Sequence, residues 1–360
     1  MRKPQTWAIA VAAVALVGLM AAGASARSSG PTRATAASIQ ACALLPDTKS
    51  STRYTLFDAP YLKAAFSKAG VAASVLNALN DPQKQRSQAE QCLAQGAKVI
   101  LLDQLTPASG IAITNLAISR GAKVIDYDRL VVGSKASYYV SHDSVRVGKL
   151  MATGLVAALK ANGKYSKKPV VAELNGGQTD NNSYLFKGGY DSILKPLYKN
   201  GTFKKGPDQF VPDWDNQKAG TIFEQMLTKT NNKINAVAAA NDGLANAVVV
   251  ALKAHKLKPL PLSGQDASEQ GVQNIISGWQ TMTVWKDTRV LATVSANAAV
   301  ALSKGQKPKT TGTVDNKGKR LPAYIIKPVS ITKANYKLLF TGGFLKKGDV
   351  CNGEFATFCK

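Results

Sequence analysis

The 360-residue chain reads as an α/β protein with two doubly wound lobes, each a parallel sheet covered by helices. Three observations carry this reading. Short runs of strand-forming residues alternate with amphipathic stretches of helical period along nearly the whole chain. Gly70, Gly96 and Gly121 each fall just past such a stretch, where a helix C-cap favours glycine. There are also more strand–helix units than one sheet conveniently holds, so they divide into two.

In chain order, strands are predicted over Ser38–Leu45, Ala72–Leu76, Lys98–Leu102, Lys123–Tyr127 and Tyr138–Val140. Further strands follow over Val170–Leu174, Ala236–Ala239, Thr281–Trp285 and Tyr324–Val329. Helices fill the gaps over Ala59–Lys68, Pro82–Gln95, Ala108–Arg120 and Val145–Asn162. The later ones are Ser183–Lys199, Asn216–Lys229, Gly243–His255 and Thr288–Leu302. GQKPKTTGTVDNKGKRLP (305–322) is rich in Lys, Gly and Thr and reads as a crossing or linker.

The first 26 residues are set apart. Arg2 and Lys3 precede an apolar run from Trp7 to about Ala22, and Ala24-Ser25-Ala26 supplies small residues for cleavage. This is the pattern of a secretory signal peptide, so the protein is expected to be exported to the periplasm, cell envelope or exterior. The run is short for a membrane span of ~20 residues, and the nearest cysteine, Cys42, is too distant for a lipid anchor. Residues 27–36 read as a flexible leader.

Four cysteines in an exported chain suggest two disulfides, for which three pairings exist. Cys351 and Cys359 close a short loop in the tail (349–360), which leaves Cys42 with Cys92.

The formal net charge is +24, which raises the question of nucleic acid. The lysines are scattered instead, in KANGKYSKK, LYKNGTFKKG and HKLKP, where helices end or loops begin. No basic stripe interleaved with aromatics appears, so nucleic-acid binding is set aside in favour of a soluble surface near an anionic envelope.

Polar clusters sit just past the predicted strand ends: PDTKSSTRY, Asp128-Arg129, NGGQTDNN, Asn241-Asp242, GQDA and Lys286. Ligands of open parallel sheets bind outside the carboxyl ends of the strands, and six such clusters point to one shared cleft. Arg53, Arg129 and Lys286 offer donors, Asp128 and Asp266 acceptors, and Asn182 and Asn241 both. Tyr54 and Trp214 offer flat apolar faces. Hydroxyls need donors and acceptors in fixed directions, and a sugar ring's C–H face needs an aromatic plate. The set suits a neutral sugar better than an anion, which two carboxylates would repel.

Plainer readings exist for each residue. Asp128-Arg129 could be a surface ion pair, Trp214 a core residue and Lys286 a surface charge. Asn241-Asp242 could serve only to cap a helix; of the two, Asp242 is expected to cap and Asn241 to face the ligand.

At these residues the chain resembles the periplasmic sugar-binding proteins of ABC transporters, and among them the D-xylose-binding branch. STRYTLFDAPY, KVIDYDRL, YYVSHDSVRVGKLMA, DNNSYLFKGG, NNKINAVAAANDGLA, GQDA and GWQTMTVWK carry the resemblance, over about 40–345. It implies a type I periplasmic-binding-protein fold with three crossover segments, near Asp143–Arg146, Trp279–Val284 and Thr313–Asn316. The lobes would then comprise 37–144 with 282–314 and 145–281 with 315–348. The family's ligand residues carry over onto Arg53, Asp128, Arg129, Asn182, Trp214, Asn241, Asp266 and Lys286. Tyr54 departs from the branch, which has tryptophan there. The resemblance also implies a monosaccharide ligand, D-xylose or a related aldose, and as partners an ABC permease and its ATPase subunits. No cofactor is implied, and the chain is expected to act as a monomer.

Other chemistries fit poorly. His142 and His255 are far apart and no Cys/His cluster has zinc spacing, so no metal site is expected. GGQTDNN lacks the ending of a phosphate-binding P-loop, and no GxSxG elbow occurs. Asp128 and Asp266 could be read as a glycosidase pair, but each adjoins donors that would keep it ionised. The chain is therefore not expected to be an enzyme. A sensory binding protein signalling to a chemoreceptor shares the same sequence features. A sugar-responsive repressor is opposed by a signal peptide where a DNA-binding motif would stand.

Overall fold

The computed structural model describes residues 38–48 and 50–359; the signal-peptide and leader segments lie outside the described residues. The architecture is α/β, with parallel sheets covered by helices. Five strands open the first sheet: β1 (Ala41–Leu45), β2 (Ala73–Asn77), β3 (Val99–Leu102), β4 (Lys123–Tyr127) and β5 (Tyr138–His142). Helices α1 (Ala59–Lys68), α2 (Pro82–Ala94) and α3 (Pro107–Ser119) connect them. Two late strands, β10 (Gly312–Asn316) and β11 (Lys319–Ile326), complete a seven-stranded sheet in the order β10-β11-β5-β4-β3-β1-β2. Only the β10–β11 pair is antiparallel.

The second lobe repeats the plan. After α4 (Ser144–Ala161) come β6 (Val170–Asn175), α5 (Asn181–Lys199), β7 (Lys204–Phe210), α6 (Asn216–Lys229), β8 (Ala236–Ala239) and α7 (Asp242–Ala254). The strands pair in the order β7-β6-β8, all parallel. Parallel bridges from Val237 to Leu262 and from Gln265 to Val284 extend this sheet toward β9 (Met282–Trp285), which pairs antiparallel with β12 (Val329–Thr332). Helix α8 (Glu269–Ile276) lies between, and α10 (Leu338–Thr341) and α11 (Lys347–Val350) close the chain. Helix α9 (Thr288–Ser303) returns to the first lobe, burying Leu291, Ala292 and Ala296 with Leu62, Phe66 and Ile125.

The chain therefore passes between sheets after His142, after Trp285 and after Ile326. This corrects two of the three expected crossings. Residues 282–285 belong with the second sheet, and the third crossing lies near residue 327 rather than at Thr313–Asn316. The stretch 305–322 is no linker, because most of it forms the β10–β11 hairpin. Its side chains are largely exposed, so no apolar alternation marks it. Strand β7 (KKGPDQF) escaped prediction for the same reason, having no fully buried residue.

Helix N-termini explain many polar residues at strand ends. Asp143, Asp180, Asp215, Asn241 and Asp287 each accept a backbone N–H in the first turn of the helix that follows. The cysteines pair as Cys42–Cys92, joining β1 to α2, and Cys351–Cys359 in the tail.

Helices α4 and α5 lie close because glycine faces backbone on both sides. A Cβ on Gly148 would run into the carbonyl oxygen of Phe186, and one on Gly189 into that of Val145. This contact sets the position of α5, whose first turns carry Asn182 and Phe186. Gly148→Ala should force the helices apart and destabilise the fold by about 1–3 kcal/mol; a melting temperature unchanged from wild type would contradict this.

Candidate functional site

The doubly wound order places a crevice where strand direction of travel reverses, beside β1 in one sheet and β6 in the other. Residues from both edges meet there. Ser50, Ser51, Arg53, Tyr54, Asp128 and Arg129 from the first lobe face Asp180, Asn182, Phe186, Trp214, Asn241, Gln265 and Asp266 from the second, with Lys286 at the crossing. They line one small, buried cavity. All nine side chains predicted from sequence are brought together in it, and each is at most 6% exposed.

Two buried guanidinium groups organise the first lobe's side. The chain leaves β1, turns, and enters a π-helical turn at Tyr54–Asp58. Asp58, at the end of that turn, takes the fork of Arg53 through Nε (2.8 Å) and Nη2 (2.7 Å). The remaining nitrogen, Nη1, lies 3.2 Å from Asp128 Oδ1. Tyr127 donates its hydroxyl to Asp58 as well (2.5 Å). Arg129 Nε lies 3.3 Å from Asp103 and 3.2 Å from Asp180, and its Nη2 donates to the Tyr54 hydroxyl (3.2 Å). Neighbours in sequence, Asp128 and Arg129 thus pair with different partners and are no simple turn ion pair. Tyr54 lies within reach of both cations, 5.0 Å from Arg53 and 5.8 Å from Arg129 to its ring centroid. Its ring is held by the arginines rather than left as a free plate.

Burial alone would raise the Asp128 carboxyl, but the charges of Arg53 and then Lys286 outweigh it and hold Asp128 well below the usual carboxylate range. Asp103 is pushed up, by burial first and despite Arg129. Asp128 sits at φ 60° and Asp266 at φ 98°, both at positive φ, so each of these two carboxylates is held on strained backbone.

The second lobe supplies the flat surface. Asp213 (φ 58°) and Trp214 (φ 57°) are both left-handed, which turns the indole back over the loop after β6. A Cβ at Gly176 would collide with that ring and one at Gly177 would meet it at 2.9 Å, so glycines there let the indole lie on the backbone. Phe186 meets Trp214 edge-on with centroids 6.3 Å apart. Lys286 Nζ is 3.2 Å from Asp266 Oδ1 and 5.7 Å from the Phe186 centroid, a buried cation rather than a surface one. Trp214 also belongs to the second lobe's apolar core, as its plainer reading has it. Its Nε1 has no hydrogen-bond partner among the described residues.

Several hydrogen bonds join the lobes. Asn182 Nδ2 donates to the carbonyl of Asp128 (3.1 Å), Asn241 Nδ2 to that of Ser50 (3.0 Å), and Ser51 Oγ to Asp266 Oδ2 (3.1 Å).

Sequence reasoning missed Ser50, Ser51, Asp180, Phe186 and Gln265. Phe186 had a legible signal, since it stands four residues after Asn182 and so on the same helix face. It also reversed one pair. Asn241 is the cap, its Oδ1 accepting from Leu244 N (2.8 Å), while it still lines the cavity through its amide. Asp242 is instead a buried bracket, accepting from Ser268 N (2.9 Å), Gln280 Nε2 (2.8 Å) and Thr283 Oγ1 (3.0 Å). It thereby ties the start of α7 to the turn just after Asp266 and to the start of β9. Among the described residues no group of three or more His, Cys, Asp or Glu side chains is placed to hold a metal ion.

This chain belongs to the periplasmic binding protein family, whose domain model matches residues 42–307. It is 35% identical over 286 residues to the D-xylose-binding periplasmic protein of Escherichia coli, covering 78% of this chain and 84% of that one. It is 33% identical to the multiple sugar-binding periplasmic receptor ChvE of Rhizobium radiobacter, over 83% of this chain and 89% of the relative. Among solved structures, an ABC transporter solute-binding protein of Clostridium phytofermentans with bound β-D-glucose superposes with a TM-score of 0.80. That match has 28% identity and covers 86% of this chain and 99% of the other.

Burial, ahead of the nearby charge of Asp266, pushes Asp242 up to about 7 against the donors that favour its ionised form. An unfolded aspartate loses its proton near ~4. Between these values the folded protein binds more protons, so this group's contribution to stability is full below about pH 4 and lost as pH rises through about 7. Melting curves from pH 4 to 7 should therefore show a flatter trend for Asp242→Asn than for wild type. Parallel trends would show that Asp242 does not carry that proton.

Proposed function

We propose that this protein is an exported solute-binding protein that encloses a monosaccharide, D-xylose or a related aldose, and delivers it to an ABC permease with its ATPase subunits. One observation carries the reading: side chains from both sheet edges and a crossing segment converge on one buried cavity that pairs an indole with fixed donors and acceptors. Trp214 and Phe186 supply apolar faces for ring C–H groups. Arg53, Arg129, Lys286, Asn182 and Asn241 supply donors, and Asp128 and Asp266 supply acceptors, in directions that only some hydroxyl arrangements match.

Closure follows from the division of these groups. A sugar bound to one lobe reaches only half of them, so its affinity is greater when the lobes are together, and binding draws the equilibrium toward the closed form. The permease would then distinguish loaded from empty protein by that closure. Turnover is not part of the proposal: Asp128 stays ionised between Arg53 and Lys286 and has no proton to give a leaving group. The periplasmic names of the relatives support placing this chain in the cell envelope.

Asp128→Asn keeps the shape and tolerates the left-handed backbone but removes a charged acceptor, a loss of about 1.5–3 kcal/mol, or about 10- to 150-fold in affinity. Trp214→Ala should weaken binding without altering the charged half of the site. Isothermal calorimetry with D-xylose measures both; wild-type protein that binds neither D-xylose nor any other aldose in a pentose and hexose panel would overturn the reading.

A further inference from the structure

A second cavity abuts the first. It is roomier than the inner one and shares with it Ser50, Ser51 and Asp266. Between the two stands a thin wall. Ser51 Oγ donates to Asp266 Oδ2 at 3.1 Å, and Ser51 is only half-buried, on a turn whose next residue, Thr52, is exposed.

The outer cavity repeats the chemistry of a sugar site. Asn216 and Asn246 offer donors and acceptors, Ser268 and Gln270 do likewise, and Glu269 adds an acceptor. From the first lobe, Leu56 and Phe57 face them, and Leu56 is 51% exposed, an apolar surface unused by the protein's own packing. Among the described residues no lysine or arginine lines this cavity, while Asp242, Asp266 and Glu269 do.

Resting on the monosaccharide reading above, we infer that the outer cavity is a second glycosyl subsite and that the protein takes a disaccharide with one ring in each cavity. A hydroxyl of the outer ring replaces Ser51 as donor to Asp266, and the Ser51 side chain turns away as the glycosidic link passes. The outer ring lies with its apolar face on Leu56 and its hydroxyls toward Asn216, Asn246 and Gln270. Asn216 and Asn246 stand at the far end, where the cavity continues into the groove between α6 and α7.

Calorimetry with D-xylose and with xylobiose tests this on the full protein. Wild type should bind both, and side chains that fill the outer cavity should separate them. Gln270→Trp, at an exposed position, and Asn246→Tyr should each weaken xylobiose by about ten-fold or more and leave D-xylose within about two-fold. Retained D-xylose binding in each variant shows that it is folded. Wild type that binds D-xylose but not xylobiose, or variants that bind xylobiose as wild type does, would overturn the subsite alone. Loss of D-xylose binding in wild type would overturn the monosaccharide reading beneath it.

Discussion

Two guanidinium groups buried at the carboxyl edge of the first sheet constrain everything around them. A cation removed from water is tolerable only where charge and hydrogen bonds replace its hydration. Arg53 is met by the fork of Asp58 and by Asp128. Arg129 is met by Asp103 and, from across the cleft, by Asp180. The first arginine is satisfied within its own lobe; the second draws on both. Bringing the lobes together therefore completes a charge arrangement as well as a cavity, and the cleft's geometry inherits the directionality of planar, bidentate donors.

That arrangement works only if the opposing face arrives in the right place. Asp180, Asn182 and Phe186 lie within two turns at the start of α5, so one helix delivers an ion-pair partner, an amide and an aromatic ring together. Its position is fixed twice. The Gly148–Gly189 approach lets α4 and α5 touch at backbone distance, and Lys187 links α5 to the sheet through Glu173 and Asp208 (2.8 Å to the latter). Tyr198, farther along the helix, donates to Glu173 as well (3.0 Å). The ion-pair set beneath the helix has no route to the ligand; it holds the helix that does.

The same physics decides what could be read from sequence. Buried strands announce themselves as apolar runs, and the residues after them are forced to be polar, so Arg53, Asp128, Arg129, Asn241, Asp266 and Lys286 stood out by position. Strands with few buried side chains give little such signal, which is why Lys204–Phe210 and Gly312–Asn316 went unseen and only the end of Lys319–Ile326 was read, within Tyr324–Val329. Crossings between sheets depend on which strand pairs with which, a long-range property that local pattern does not encode. The exchange of roles between Asn241 and Asp242 has a similar origin. Either side chain can cap a helix, and only the neighbours Ser268, Gln280 and Thr283 make Asp242 the buried one. Ser50, Ser51 and Gln265 were hidden because small polar residues in turns look alike whether they face solvent or a cleft.

Charge gives the last step. The chain carries a formal +24, and such a surface could suggest an acidic ligand. The cavity does not share that sign. Its lining holds three cations, Arg53, Arg129 and Lys286, and three carboxylates, Asp128, Asp180 and Asp266. Each cation has a carboxylate within 3.2 Å. An anion entering would find every positive group already engaged and would face the carboxylates without compensation. A neutral polyol instead meets acceptors made stronger by ionisation and donors held in place by their partners, and it displaces no counter-charge. The basic exterior and the balanced interior therefore answer to different neighbours, the first to the medium around the protein and the second to an uncharged ligand.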